Sequence, residues 1–214
     1  GTRNISGTTS MHVALERELA SWHRKEAALL FSSGWVSNFT ALAVLGSVLP
    51  ECVIYSDANN HNSMIEGIRR SGATVRIFNH NDAAHLESLL RAEESPRPRV
   101  VAFESVYSMD GDIAPVAALL ELCERHDAYL FIDDAHGFGV LGEAGRGTLA
   151  HCNVASKRII YMATLGKAAG VAGAFVAGDE TLIETLIQNA RTYIYTTATP
   201  PLLAHALLTS LQIM

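Results

Sequence analysis

The sequence predicts an α/β fold, in which a mainly parallel β-sheet is covered by helices on both faces. Strand-like runs of four to six residues alternate along the 214-residue chain with longer segments of helical periodicity, and this alternation is typical of parallel sheets. The chain has no internal repeat, and its one linker-like stretch, Glu93 to Pro98, has the length of a surface connection. We therefore expect the elements to form one sheet in one domain.

Seven segments have the length and composition of strands. They are Ala27–Phe31, Cys52–Tyr55, Thr74–Phe78, Val100–Phe103, Tyr129–Ile132, Ile159–Ala163 and Ala174–Ala177. The segments around them repeat apolar residues with helical spacing. The predicted helices are Met11–His23, Val36–Leu49, Ser63–Ser71, Ala83–Arg91, Val116–His126, Glu180–Arg191 and Leu202–Ile213.

The composition predicts a soluble globular protein that binds neither nucleic acid nor a membrane. The residues are 49% apolar and 18% charged, and the formal net charge is −6 without any cluster of lysines and arginines. No apolar run is long enough to cross a bilayer, and the first residues lack the pattern of a signal peptide. The separated cysteines Cys52, Cys123 and Cys152 suit a reducing, cytoplasmic location and predict neither a disulfide nor a metal site.

Ligands of such sheets bind beyond the carboxyl ends of the strands, which directs attention to the residues that follow each strand. The run from Asp133 to Gly139 follows one predicted strand, and a carboxylate there could hold a protonated ring nitrogen. A helix cap or half of a metal-binding pair is the alternative for this acid. Lys167 follows the next strand among small residues, where a desolvated amine could attack a carbonyl. Taken alone, it would more often be a solvated surface charge.

Two further strand ends carry groups that suit a phosphorylated aromatic ligand. The turn Ser32-Ser33-Gly34-Trp35 precedes a helix, and backbone N–H groups at a helix N-terminus bind phosphate. An ordinary capped helix is the alternative. His61 could stack on an aromatic ring, although a lone histidine is more often a surface or capping residue. Together, the phosphate turn, stacking ring, acid and lysine match what pyridoxal phosphate requires of a protein.

The sequence also resembles the α-oxoamine synthases, pyridoxal-phosphate enzymes of fold type I that condense an amino acid with an acyl-CoA. This resemblance covers essentially all 214 residues. It implies a seven-stranded, mostly parallel large domain and a homodimer with shared active sites. It also implies that Lys167 forms a Schiff base with the cofactor and that Asp133 pairs with the pyridine nitrogen. By the same resemblance, His136 binds the phenolic oxygen and His61 stacks on the ring. Further cofactor contacts are expected from Gly34, Trp35, Ser108 and Thr164, and from Thr196 and Thr197 of the partner subunit.

Two members of this family resemble different parts of the chain. Up to about His126 the sequence resembles 5-aminolevulinate synthase, in the opening Gly1 to Gly7, in Met64 to Arg69 and in Phe103 to Asp112. This resemblance implies glycine and succinyl-CoA as substrates. The substrate contacts expected from it are Thr2, Asn4, Ile5 and Ser56. A lysine expected near the CoA phosphates is replaced by Val75.

From about Asp127 onward the chain resembles 8-amino-7-oxononanoate synthase, which uses alanine and a pimeloyl thioester in biotin synthesis. The motifs are Asp133 to Gly137, Gly142 to Gly147 and Tyr193 to Pro201. This enzyme is the alternative function, and a non-catalytic relic of the fold is a remote one. A relic has no reason to keep Lys167 and Asp133 together with a stacking histidine.

The ends of the sequence suggest a piece of a longer polypeptide. The chain opens on a glycine-rich turn, and it stops at Met214 inside an apolar helical pattern without a stop signal. We therefore interpret residues 1–214 as a pyridoxal-phosphate-binding large domain. The N-terminal arm and the C-terminal small domain of the family would lie outside it.

Overall fold

A computed structural model describes all residues from Gly1 to Met214. The chain forms one seven-stranded sheet in the order β1-β7-β6-β5-β4-β2-β3. The strands are β1 Ala27–Phe31, β2 Val53–Asp57, β3 Thr74–Phe78, β4 Arg99–Glu104, β5 Ala128–Asp133, β6 Ile159–Thr164 and β7 Ala174–Gly178. The predicted fold class is therefore confirmed.

The direction of the strands determines where the polar strand ends meet. Strands β2 to β6 pair in parallel, whereas β7 runs antiparallel to both β6 and β1. Because β1 and β6 flank the one reversed strand, β1 points the same way as the parallel set. The carboxyl ends of six strands consequently lie along one edge, as the alternation of strand and helix predicts.

Nine α-helices connect and cover the strands. They are α1 Ser10–Trp22, α2 Gly34–Val48, α3 Asn62–Ser71, α4 Ala83–Ala92, α5 Val116–Arg125, α6 Thr148–His151, α7 Glu180–Asn189, α8 Arg191–Ile194 and α9 Pro201–Ile213. One apolar cluster packs α1, α4, α5 and α9 on one face of the sheet, and a second packs α2, α3 and α7 on the other. On β2, Val53 and Tyr55 join the first cluster while Ile54 joins the second, as the alternation of side chains in a strand requires. None of the helices combines the length and the apolar character needed to cross a lipid bilayer.

The strands are longer than predicted at their polar ends. Asp57, Glu104, Asp133 and Thr164 all belong to strands. A polar residue after an apolar run has the composition of a loop, but its backbone continues the hydrogen-bonded ladder. Helix α2 begins two residues earlier than predicted, because Ser33 Oγ accepts a hydrogen bond from Val36 N at 3.2 Å and caps the first turn.

Short helical segments were not predicted. These are α6, a π-helical turn at Arg3–Gly7 and a 3₁₀ turn at Glu143–Gly145. The predicted helix Glu180–Arg191 ends at Asn189, and a separate turn, α8, follows it. Segments of three to five residues contain too few helical repeats to be recognised by periodicity.

Candidate active site

A cleft of about 180 Å³ lies at the carboxyl edge of the sheet. Its lining comes from β4, β5 and β6, from the loops that follow them and from the starts of α2 and α3. Seven of the predicted site residues line it, namely Gly34, Trp35, His61, Asp133, His136, Thr164 and Lys167. They meet because they follow strands whose carboxyl ends are adjacent.

Lys167 and His136 are in direct contact. Lys167 Nζ lies 2.8 Å from His136 Nε2, so the ammonium donates to a neutral imidazole in this arrangement. Burial lowers the pKa of Lys167, although the carboxylates of Asp133 and Glu104 oppose that shift. Burial and the neighbouring Lys167 charge lower the pKa of His136. Burial therefore shifts Lys167 towards its uncharged, nucleophilic form.

The Asp133 carboxylate is held in place by hydrogen bonds to both of its oxygens. Asn38 Nδ2 donates to Oδ2 at 2.6 Å, and the Ala135 N–H donates to Oδ1 at 2.9 Å. Asp133 is 4% exposed and lines the cleft. The two hydrogen bonds therefore fix the position of a carboxylate on the wall of the cleft.

His61 is connected to Asp133 through two side chains that were not predicted. Ser63 N donates to His61 Nδ1 at 3.2 Å, and Ser63 Oγ lies 2.7 Å from the same nitrogen. Asn38 Nδ2 donates to Ser63 Oγ at 3.0 Å as well as to Asp133. Because Nδ1 accepts these bonds, the network assigns the ring N–H to Nε2. His61 and Asp133 are therefore oriented by one network.

The N-terminus of α2 faces the cleft. The first-turn amides of Gly34 and Trp35 have no acceptor inside the helix. Ser33 Oγ accepts from Val36 N and leaves these two amides free. A Cβ on Gly34 would lie 3.4 Å from Thr164 Cβ, within ordinary contact distance, so the helix start lies beside β6. Exposed amides at the positive end of a helix suit a phosphate group.

Glu104 is a cleft residue that the sequence did not single out. It ends β4 directly beside Asp133 in the sheet register, and it is 3% exposed. Burial and the neighbouring Asp133 charge raise its pKa to about 7. Its position after an apolar strand was the available signal, since the same rule identified Asp133.

Asp134, the neighbour of Asp133, has a structural environment. It is fully buried and accepts hydrogen bonds from Thr148 N at 2.8 Å, Thr148 Oγ1 at 2.6 Å and Tyr161 OH at 2.6 Å. Ser105 Oγ also donates to it. Burial raises its pKa, although these hydrogen bonds oppose the shift. Asp134 therefore ties β4, β5, β6 and α6 together on the side away from the cleft.

Two of the predicted contact residues, Ser56 and Ser108, do not line the cleft. Ser56 is 5% exposed, and its hydroxyl accepts from Asn60 Nδ2 at 2.9 Å and is oriented towards Asp57 O. Its hydroxyl is thus engaged inside the protein and does not line the cleft. Ser108 is exposed in the loop after β4 and does not line the cleft either.

The remaining predicted contacts form a second group, away from Lys167. Thr2 pairs with Thr197 through a backbone bridge, and the Gly1 carbonyl accepts from Ala198 N at 3.0 Å. Asn4, Ile5 and Thr196 are exposed beside this bridge. The residues predicted to contact substrate and those predicted to reach a partner's cofactor are therefore neighbours on one surface.

The residues of the cleft fit pyridoxal phosphate by the chemistry of their groups. Lys167 offers an amine of lowered pKa, Asp133 offers a fixed carboxylate, and α2 offers unpaired amides. Asn38 Oδ1 is buried without a hydrogen-bond partner, so Asn38 is held through its donor side alone. An amine, an acid and an anion-binding turn on one wall suit a phosphorylated aldehyde with a basic ring.

Comparisons with known proteins give the same picture. The sequence profile of the family described as "Aminotransferase class I and II" matches residues 1–214. The 5-aminolevulinate synthase 2 of Cereibacter sphaeroides is 51% identical over 212 residues, which are 99% of this chain and 52% of that protein. The 8-amino-7-oxononanoate synthase of Nitrosospira multiformis is 54% identical over 213 residues, which are 98% of this chain and 52% of that protein.

A solved structure has a similar fold. The high-resolution structure of SPT, serine palmitoyltransferase, with its PLP internal aldimine superposes with a TM-score of 0.92 at 29% identity. The match covers 99% of this chain and 53% of that one. The chain thus spans about half the length of the relatives that it matches. The two curated relatives are α-oxoamine synthases, so the resemblance inferred from the sequence is confirmed. The chain belongs to the aminotransferase class I and II family.

Proposed function

We propose that this chain is the cofactor-binding part of a pyridoxal-phosphate-dependent α-oxoamine synthase. Such an acyltransferase condenses an amino acid with an acyl-CoA and releases CoA and CO₂. The observation that carries the proposal is the contact between Lys167 Nζ and His136 Nε2, 2.8 Å long, in a cleft that also contains Asp133 and His61. Relatives of both named synthase types support the reaction class.

When bound, pyridoxal phosphate supplies a carbonyl that captures amines and a ring that withdraws electrons. Lys167 Nζ would hold the cofactor covalently, and its lowered pKa also suits it to move the α-proton of the substrate. Asp133, fixed by Asn38 and the Ala135 amide, would keep a proton on the ring nitrogen. His61 would form one wall of the cleft, and the α2 amides would receive the phosphate.

The substrates we propose first are glycine and succinyl-CoA, which give 5-aminolevulinate. The opening segment with Thr2, Asn4 and Ile5 supports this pair. The alternative pair is alanine and a pimeloyl thioester, and the 54% identical 8-amino-7-oxononanoate synthase supports it. We also propose a homodimer, because Thr196 and Thr197 are exposed outside the cleft of their own chain and could reach a partner's cofactor.

The test of the cofactor site uses the few lysines of the chain, Lys25, Lys157 and Lys167. The protein is mixed with pyridoxal phosphate, reduced with borohydride and examined by peptide mass spectrometry. We expect one cofactor on Lys167, none after Lys167→Ala and an unchanged amount after Lys157→Ala. Cofactor on another lysine but not on Lys167 in the otherwise unchanged protein would show that Lys167 has been assigned the wrong role.

A second measurement tests the reaction and separates its substrates. The full-length protein, loaded with cofactor, is given glycine with succinyl-CoA or alanine with pimeloyl-CoA, and CoA release is measured. Product from one pair identifies the synthase. Covalent cofactor on Lys167 without product from either pair would instead support the non-catalytic alternative.

A further inference from the structure

A second and larger cavity lies at the opposite edge of the sheet from Lys167. Its volume is about 430 Å³, which is within the range of small-molecule sites in proteins. It is formed where β1 begins, where β7 ends and where the chain enters β6. The proposed reaction uses none of its residues.

Lys25 is a partly buried amine in this cavity, and no carboxylate is paired with it directly. Its Nζ donates one hydrogen bond, to Ser156 O at 2.9 Å, and no carboxylate forms an ion pair with it. A half-buried ammonium without a directly paired carboxylate is costly, since burial removes part of its hydration. Burial lowers the pKa of Lys25 to about 8, and the more distant carboxylate of Asp179 opposes the shift only in part.

The charges around Lys25 favour an anionic ligand. The charged and titratable side chains that line the cavity are His23, Arg24, Glu26, Glu143, Arg146, Lys157 and Asp179. Glu26 pairs with Lys157 at 3.4 Å, and Asp179 caps α7 by accepting from Leu182 N at 2.6 Å. His23 is buried and its pKa is lowered to about 3, mainly by that burial, so it is neutral. Apart from the Glu26–Lys157 pair, the cavity therefore carries three cations, Arg24, Lys25 and Arg146, and two carboxylates, Glu143 and Asp179.

We propose that this cavity is an acylation site, in which Lys25 accepts the acyl group of an acyl-CoA thioester. The nitrogen of the neutral amine forms a bond to the thioester carbonyl carbon, and the carbon–sulfur bond breaks. The thiol leaves with the proton that the amine loses, so that an uncharged amide and free CoA result. Arg24 and Arg146 attract the phosphates of CoA, and the Ser156 carbonyl holds one N–H so that the lone pair is free.

The modification removes the buried positive charge, since an amide nitrogen is uncharged. It shares its acyl donor class with the proposed synthase but does not require that activity. The acylation site can therefore be tested independently of Lys167.

The experiment uses the Lys167→Ala variant without cofactor, so that the cleft contributes nothing. The protein is incubated with acetyl-CoA between about pH 6 and pH 11, and acetyl-lysine is quantified by peptide mass spectrometry. Lys157 is an internal control, because its side chain is 90% exposed and it lines the same cavity. From the difference in neutral amine we expect Lys25 to react on the order of tenfold to a hundredfold faster than Lys157 at about pH 8.

Two variants test the parts of the site separately. Lys25→Arg should abolish the fast reaction and leave labelling of Lys157 unchanged. Arg24→Asn combined with Arg146→Gln should slow the reaction with acetyl-CoA several-fold, while the reaction with the uncharged ester phenyl acetate stays the same. Thermal melting of each variant checks that the fold is retained.

The pH profile decides the outcome. Labelling of Lys25 should level off above about pH 8, whereas that of the exposed Lys157 should not. Equal rates at Lys25 and Lys157, or the same pH profile for both, would overturn the proposal. Since cofactor attachment at Lys167 is measured separately, failure of either proposal is recognised by itself.

Discussion

Asn38 Nδ2 lies 2.6 Å from Asp133 Oδ2 and joins two residues that are 95 positions apart in the sequence. The same amide nitrogen reaches Ser63 Oγ, and through it His61. The positions of a carboxylate and a histidine in the cleft therefore depend on one side chain of α2. Neither partner of Asn38 can shift without breaking a buried hydrogen bond.

The first prediction concerns this side chain. Asn38→Ala should weaken binding of pyridoxal phosphate roughly 5- to 150-fold, because loss of a buried hydrogen-bond partner costs about 1–3 kcal/mol. Spectroscopic titration with the cofactor measures the effect. Asn60→Ala is the matched control, since Asn60 is also buried but donates to Ser56 and the Ala102 carbonyl, away from the cleft. If both variants bind the cofactor equally well, Asn38 has no role in orienting Asp133.

The adjacent carboxylates Asp133 and Asp134 should respond differently to the same substitution. Asp133→Asn should leave a folded protein but slow proton exchange at Cα of the amino acid, because the ring nitrogen would lose its anionic partner. Asp134→Asn should lower the free energy of unfolding by about 1–3 kcal/mol, since Asp134 accepts several buried hydrogen bonds and an amide replaces one acceptor with a donor. Thermal melts and deuterium exchange at Cα distinguish the two. The reverse pattern would mean that the roles are exchanged.

Glu104 should make the stability of the cofactor-free protein depend on pH. Its pKa rises from 4.5 in the unfolded chain to about 7 in the fold, so the folded state holds its proton more tightly. The native state is therefore favoured below about pH 4.5, and this advantage is lost as the pH rises through about 7. Glu104→Gln should remove that loss, which amounts to on the order of 3 kcal/mol for a buried group. Urea titrations of both proteins at about pH 5 and pH 8 measure it. An identical difference between the two pH values in both proteins would contradict the prediction.

His80 should have a pH dependence of the same sign, with a different cause. Its Nδ1 lies 2.9 Å from Asp57 Oδ1 and its Nε2 lies 2.8 Å from Asp112 Oδ2. Desolvation lowers the pKa of His80, but the two carboxylates outweigh it and raise the pKa above 6.5. The stabilisation is full below pH 6.5 and is lost as the pH rises through the raised pKa. His80→Gln should therefore cost about 1 kcal/mol at low pH and less at high pH. His205→Gln, at an exposed histidine, should show no such trend when both are followed by urea unfolding.

The fold was largely predictable because its strands are apolar runs separated by helices. Ile159–Ala163 and Ala174–Ala177 were recognised within one residue of their observed ends. The placement of β7 between β1 and β6 was not predictable from composition. A buried strand has the same apolar run in either direction, and only the pairing of its backbone distinguishes parallel from antiparallel neighbours.

The site was predictable where its residues follow strands and hidden where they lie in helices. Asp133 ends β5, and His136 and Lys167 follow β5 and β6, so the rule about carboxyl ends finds them. Asn38 lies in the second turn of α2, and no local pattern says that a polar helix residue points at a carboxylate. A usable signal was present, since Asn38 stands in a helix of mainly apolar residues that is buried on most sides.

The single reversed strand also determines when the protein can assemble. Strand β1 pairs only with β7, so the backbone of Phe31 cannot pair in the sheet until Ala174 has been synthesised. On the ribosome, nearly the whole chain must emerge before the turn at Gly34 meets Thr164. Pairing over such sequence distances slows folding and leaves an apolar strand unpaired in the nascent chain. A chain whose synthesis stopped just after Gly170 would already carry Lys167, and it would still lack the strand that brings the phosphate turn beside it.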